Sequence, residues 1–140
     1  MIIRKEEEGD RAGVYTVNAA AFNGPDEANV VDILRDAADP VVSLVAEENG
    51  GIVGHIMFSP VEITGHPDRR VMGLGPVAVL PERQRAGIGS LLVKSGLEEC
   101  RKLGFGAVVV LGHPAYYPRF GFVPASRFGL RCEFDVPDEE

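Results

Sequence analysis

An α/β domain is the fold class this sequence predicts, and three observations carry it. Val41–Glu48 and Ile52–Ile63 are strand-prone runs joined by Asn49-Gly50-Gly51, and Asn-Gly supplies the positive φ angles of a tight hairpin turn. Gly87–Leu103 carries a helical apolar stripe between two further strand-like runs, Val71–Val79 and Ala107–Leu111. Strand, helix, strand in that order implies a parallel crossover, normally right-handed. The 140 residues suit one domain with a core of its own.

Taken in chain order, Ile2-Ile3 begins a short strand. Asp10 is placed to cap a helix, with Val14, Val17 and Ala21 spaced along one face. Asn23-Gly24 ends that helix, and Pro25 opens a second whose first turn holds Asp26 and Glu27, acids suited to the positive end of the helix dipole. Val30, Val31, Ile33 and Leu34 continue it until Pro40. After the hairpin, Val71–Val79 is closed by Pro81. In the third helix Ile88, Leu92, Val93, Gly96, Leu97, Cys100 and Leu103 fall on one half of the wheel. Ser90, Lys94, Glu98, Arg101 and Lys102 fall on the other. So wide a stripe suits a helix lying on a sheet. Cys100 is on the apolar half and reads as a small core residue rather than a reactive thiol. Ala107–Leu111 is a buried strand, and no linker or repeat divides residues 1–140, which form a single domain.

Composition excludes several function classes. Hydrophobic residues are 45% and charged residues 25%, a globular balance. Fourteen basic against 21 acidic residues give a net charge of −7, which disfavours a bulk nucleic-acid partner and is compatible with a cationic substrate. The apolar runs are strand-sized, short of the ~20 residues of a membrane span. Acids at Glu6-Glu7-Glu8 stand where a signal peptide has its apolar core. Two cysteines make no disulfide framework, so a cytoplasmic setting is expected. His55, His66 and His113 lack metal-ligand spacing, and no metal is expected.

Arg83-Gln84-Arg85 is a basic segment in an acidic chain, and it lies in the most informative stretch, Val77 to Gly89. A strand ends, a polar loop turns, and two glycines open a helix. Glycine lets backbone N–H groups approach a ligand closely. The first helical N–H groups lack internal partners and sit at the positive end of the dipole, which makes a phosphate site. A dinucleotide fingerprint would need glycine where Leu92 stands, and the Gly-Lys-Ser/Thr of a P-loop is absent.

Gln84-Arg85-Ala86-Gly87-Ile88-Gly89, preceded by Val77-Ala78-Val79-Leu80-Pro81, resembles the coenzyme A motif of the GNAT N-acetyltransferases. Tyr117-Pro118-Arg119-Phe120-Gly121-Phe122 resembles their Tyr-x-x-x-Gly-Phe signature. Gly54-His55-Ile56, Phe58-Ser59-Pro60-Val61 and Leu111 to Tyr117 resemble the YhbS-like branch. The order of elements agrees from Ile2 to about Phe134.

This resemblance implies a mixed, mostly antiparallel central sheet flanked by helices, with middle strands that splay to admit pantetheine. Acetyl-CoA is the implied cosubstrate. The backbone of Val77, Ala78 and Val79 would line the pantetheine. The N–H groups of Arg85, Ala86, Gly87, Ile88, Gly89 and Ser90 would hold the pyrophosphate, with Gln84 shaping the loop. The implied reaction is direct acetyl transfer to a primary amine of a small molecule or peptide. The Val77 N–H would be an oxyanion donor and Tyr117 the general acid. Phe120 and Phe122 would pack around the slot. Phe22, Glu27 and His113 would lie on the substrate side.

The chain departs from the family in three places. Where many members carry a strand glutamate, it has Met72-Gly73-Leu74-Gly75-Pro76; Glu62, Glu27 and His113 are the remaining candidates for a base. Gly112-His113-Pro114 stands where many have an asparagine. YhbS-like proteins continue with another strand after a segment like Cys132–Glu140, and its lack here would leave an edge open or covered by a second subunit as a homodimer. The alternative function is a catalytically weak acyl-CoA-binding sensor, which the missing acid favours and Tyr117 disfavours.

Overall fold

The structure, a computed structural model, describes residues 1–61 and 70–110, with Val110 described through its backbone alone. Among the described residues, five strands form one sheet in the order β1-β2-β3-β4-β5. They are β1 (Ile2–Lys5), β2 (Val42–Glu48), β3 (Gly51–Val61), β4 (Val71–Val79) and β5 (Ala107–Val110). All neighbours are antiparallel except β4 and β5, which are parallel, as a strand–helix–strand crossover requires. The helices are α1 (Arg11–Ala21), α2 (Asp26–Ala37) and α3 (Ile88–Lys102). Short 3-10 turns cover Glu8–Asp10 and Pro81–Arg83.

The hairpin turn is the one its sequence predicts. Asn49 and Gly50 have φ of 52° and 80°, with Glu48 paired to Gly51 across it. That is the mirror-image turn whose twist matches the strands it joins. One residue is nonetheless inserted further along, where the register shifts between Ala46 and Glu47.

Two cores follow from the alternation of side chains along the strands. On one face Leu44, Ala46, Ile56, Phe58 and Met72 pack under Ile88, Leu92, Val93 and Cys100 of α3. On the other Val45 and Met57 pack with Val14 of α1 and Val31 of α2. Gly96 lets α3 approach the sheet, because a Cβ there would overlap the ring of Phe58. Burial pushes the Cys100 thiol up to about 11, the behaviour of an inert core cysteine.

The helix ends carry refinements. Asp10 occupies the N-cap of α1 but makes no side-chain cap bond; its carboxylate accepts from Arg4 at 2.7 and 3.0 Å and from the Glu7 N–H at 2.7 Å. Charge pairing across the β1–α1 link outcompetes the cap. Pro25 is the N-cap of α2 rather than its first-turn residue. Val30 and Ile33 are 46% and 65% exposed, so α2 buries only the stripe through Ala28 and Val31. Leu103 lies just past α3 and is 45% exposed, off the stripe that its spacing predicts.

Candidate active site

The strand β4 pairs with β3 along one edge from Val71 to Val79 and, among the described residues, with β5 along the other. Its pairing with β5 runs from Val71↔Ala107 to Leu74↔Val110. On the β3 side Ile56 pairs with Val77 and Phe58 with Leu74, so Met57 alone stands opposite Gly75 and Pro76. Two residues against one is a β-bulge, which bends and re-aims a strand. Beyond it, the Leu80 N–H donates to the Val53 carbonyl at 3.0 Å. Antiparallel alternation then turns the backbone of Ala78 toward His55, its partner on β3. The N–H and C=O groups of Val77 and Val79 are thereby sent to the opposite edge. Of the three strand residues expected to line a ligand, Val77 and Val79 present their backbone and Ala78 does not.

The loop after β4 is built to leave amides free. Gly87 is the N-cap of α3 at φ 83°, with no side-chain cap, and the first helical bond runs from the Leu91 N–H to the Gly87 carbonyl at 3.1 Å. The amides of Ile88, Gly89 and Ser90 thus have no acceptor within the helix. Arg85 stands at φ 66°, a conformation uncommon for a residue with a Cβ. It is exposed, as are Ala86 and Gly87. Arg83 is different: its guanidinium donates to Glu48 Oε2 at 2.5 Å, so its charge is already matched. Gln84 reaches back, Nε2 donating to the Val79 carbonyl at 3.1 Å, and ties the loop to the strand it follows.

The residues expected on the substrate side, Phe22 and Glu27, lie at the corner between α1 and α2. Phe22, the C-cap of α1, is 40% exposed. Its N–H donates to the Asn18 carbonyl at 3.1 Å, and that of Gly24 to the Ala19 carbonyl at 3.0 Å. Asn23 follows at φ 55°. Glu27 is half-buried in the first turn of α2 and Asp26 is exposed. Tyr15 donates to Asn29 Oδ1 at 3.1 Å and joins the two helices. Glu62, His113 and Tyr117 lie outside the described residues.

Sequence reasoning missed a buried polar chain beneath this corner. Asn18 Nδ2 donates to the Val14 carbonyl at 3.0 Å and to His55 Nδ1 at 3.1 Å. The second bond makes Nδ1 an acceptor, which fixes the imidazole proton on Nε2. Nε2 donates to Ser43 Oγ at 2.8 Å, and Ser43 donates to Glu6 Oε1 at 2.7 Å. Arg35 grips both oxygens of Glu6, at 3.2 and 2.7 Å, and Asp32 at 2.7 Å. His55 is fully buried, and desolvation lowers it to about 4, with Glu6 raising and Arg35 lowering it further. The imidazole is therefore neutral at pH 7. The sequence signals were Ser43 and His55, each a polar residue set within an apolar stretch of its strand.

Comparison with known proteins agrees with this geometry. Residues 2–125 match the family model described as an acetyltransferase (GNAT) domain. The chain is 39% identical over 137 residues to the uncharacterized N-acetyltransferase YjhQ of Escherichia coli, covering 95% of this chain and 76% of that one. It is 36% identical over 135 residues to the uncharacterized N-acetyltransferase YhbS of the same species, covering 96% and 80%. Two solved structures resemble it closely. A GNAT family acetyltransferase from Brucella melitensis in complex with acetyl-CoA superposes with a TM-score of 0.82 at 47% identity, over 87% of this chain and 82% of that one. Escherichia coli YhbS in complex with CoA superposes with a TM-score of 0.91 at 34% identity, over 99% and 77%. A re-aimed β4, an uncapped α3 and a match across nearly the whole chain converge on one conclusion: this chain belongs to the GNAT family of N-acetyltransferases, in its YhbS-like branch.

Proposed function

We propose that the chain transfers the acetyl group of acetyl-CoA directly to a primary amine of a small molecule or peptide. The observation that carries this reading is the uncapped start of α3, with Arg85 exposed and Gly87 at φ 83°. Free amides, the helix dipole and an arginine suit a pyrophosphate, and similarity to relatives solved with acetyl-CoA and CoA supports that ligand. The backbone of Val77 and the Val79 N–H are offered to the pantetheine amides, and Gln84, bonded to the Val79 carbonyl, keeps the loop folded against β4.

The thioester supplies the activated acyl group; the chain's residues position, polarise and move protons. A free alkyl amine titrates near ~10.4, so only about one in 2,500 is neutral at pH 7, a cost of ~4.6 kcal/mol. A base that removes this proton therefore matters. Met72-Gly73-Leu74-Gly75-Pro76 offers no acid on β4, which leaves Glu27, Glu62 and His113 as candidates. Glu27 and Phe22, at the α1–α2 corner, flank the amine, and His113 is assigned to the substrate side by the family resemblance alone. As the amine attacks, the Val77 N–H donates to the carbonyl oxygen on which charge develops. Tyr117 donates a hydrogen bond to the departing thiolate.

Thermal shift with acetyl-CoA, followed by a turnover screen over polyamines, amino acids, aminoglycosides and peptide N-termini, tests this. At ligand one hundred times its Kd the stabilisation should be ~2.7 kcal/mol. Gly87→Val, which adds a side chain and strain at φ 83°, and Arg85→Ala, which adds neither, should both weaken it. No shift in the wild-type protein would refute the reading. A shift without turnover of any amine would favour the second reading, an acyl-CoA sensor that lacks a base.

A further inference from the structure

We propose that His55, held between Asn18 and Ser43, is a positioning residue for the acceptor amine, because it anchors both helices of the α1–α2 corner to one point of the sheet. The inference rests on the proposed acetyl transfer, in which that corner borders the acceptor.

The chain of bonds is continuous. It runs from Asn18 on α1 to His55 on β3, to Ser43 on β2, to Glu6, and to Arg35 on α2. The Glu6 N–H also donates to the Ser43 carbonyl at 2.9 Å, so Glu6 is tied to β2 by backbone as well as by side chain. At the α1 end the link to the corner is a single bond, since the Asn18 carbonyl accepts the Phe22 N–H. Asn18 thus holds the sheet with its side chain and Phe22 with its backbone. At the other end Arg35 fixes the last turn of α2, whose first turn carries Glu27.

The placement of this array argues for a role beyond holding the protein folded. Its neighbours on the same face, Val14, Val31, Val45 and Met57, are all apolar. Buried polar and ionic arrays are commonly replaceable by apolar side chains without loss of stability. This one even carries a defect: Asn18 Oδ1 is buried with no hydrogen-bond partner among the described residues, which is itself destabilising. The amide cannot turn over to relieve it, because the Val14 carbonyl and the acceptor nitrogen of His55 both require the NH2 group. What such an array supplies that methyl groups cannot is direction. Four donor–acceptor pairs in series fix how α1 and α2 seat on β3 and β2, where apolar packing tolerates sliding.

Three variants decide the matter: Ser43→Ala and His55→Phe, which break the chain, and His55→Gln, whose amide can still accept from Asn18 and donate to Ser43. In the two breaking variants, amide hydrogen exchange at Phe22 and Gly24 should quicken by roughly tenfold or more, while the Kd of acetyl-CoA by calorimetry stays within about twofold. With spermidine, neamine and a glycyl tripeptide as probe amines, KM should rise about tenfold with kcat nearly unchanged. His55→Gln should recover most of both losses. Unchanged exchange at Phe22 and Gly24, or a parallel loss of acetyl-CoA affinity, would overturn the proposal, since general loosening would weaken both sides alike. Should the wild-type protein acetylate none of the probes, the transferase reading falls, and exchange and coenzyme affinity still decide whether His55 anchors the corner.

Discussion

The ring of Phe58 on β3 occupies the space in which any residue but glycine at position 96 would place its Cβ. Phe58 is fully buried, so the ring has nowhere to retreat without moving α3. Gly96→Ala should destabilise the protein by about 2 kcal/mol, although alanine favours a helix interior by roughly 1 kcal/mol over glycine. Urea denaturation measures the difference, and an equally stable variant would refute the close approach.

Gln84→Ala should weaken acetyl-CoA binding about two- to tenfold, the worth of one exposed hydrogen bond that shapes the loop. Global stability should hold within about 0.5 kcal/mol. Gln84→Glu should be worse, since a carboxylate cannot donate to the Val79 carbonyl and sets a negative charge beside the phosphates. Calorimetry that ranked Glu above Ala would dismiss the Gln84–Val79 bond as a support of the site.

Acid should destabilise the fold through His55. Its folded value, about 4, lies below its unfolded value near ~6.5. The unfolded chain therefore takes up a proton that the native state resists. Stability contributed by the neutral imidazole is full above pH ~6.5 and is lost as pH falls from there to about 4, at most roughly 3 kcal/mol. Asn18, Ser43, Glu6 and Arg35 make up the network it titrates against. His55→Gln should flatten the stability–pH curve across that window, and an unaltered slope would assign the acid sensitivity to carboxylates instead.

Tyr117→Phe should lower kcat by about ten- to a thousandfold, or ~1.4 to 4 kcal/mol of transition-state stabilisation. A tyrosine near pKa ~10 facing a thiol near ~8.5 makes full proton transfer uphill by about 2 kcal/mol, so a strengthening hydrogen bond is the expected contribution. Acetyl-CoA affinity should barely change, and Tyr116→Phe should be mild. Near wild-type kcat with chemistry rate-limiting would remove Tyr117 from the mechanism.

The geometry of the loop after β4 was legible because it is local. Gly87 and Gly89 stand a few residues from the strand they follow, and a run of polar and glycine residues between a strand and a helix has few solutions. The buried polar chain beneath the α1–α2 corner was not, because it depends on register. Counting back from the Asn49-Gly50 turn sets His55 opposite Leu44, on the α3 face. The inserted residue near Val53 moves it opposite Val45 instead, one diagonal from Ser43, and flips it toward α1. A bulge has no signature in composition or spacing, so the chain from Asn18 to Arg35 emerges only in three dimensions. Asp10 misled for a related reason: its competing partner, Arg4, is close in sequence, but nothing in the spacing ranks an ion pair above a cap.

The pairing of Glu48 with Arg83 makes the hairpin tip a strut for the loop that opens α3. A turn some thirty residues upstream, with no group that a substrate would touch, braces the segment that carries Gln84 and Arg85 from behind. Lengthening that turn, or exchanging Gly50 for a residue that resists φ 80°, would displace Glu48 and release Arg83. The loop would then gain a second unmatched positive charge while losing its backstop, so affinity for an anion could be kept even as the geometry for acyl transfer was lost. Damage at the far end of β2 would therefore mimic a catalytic defect, with ligand still bound and turnover gone.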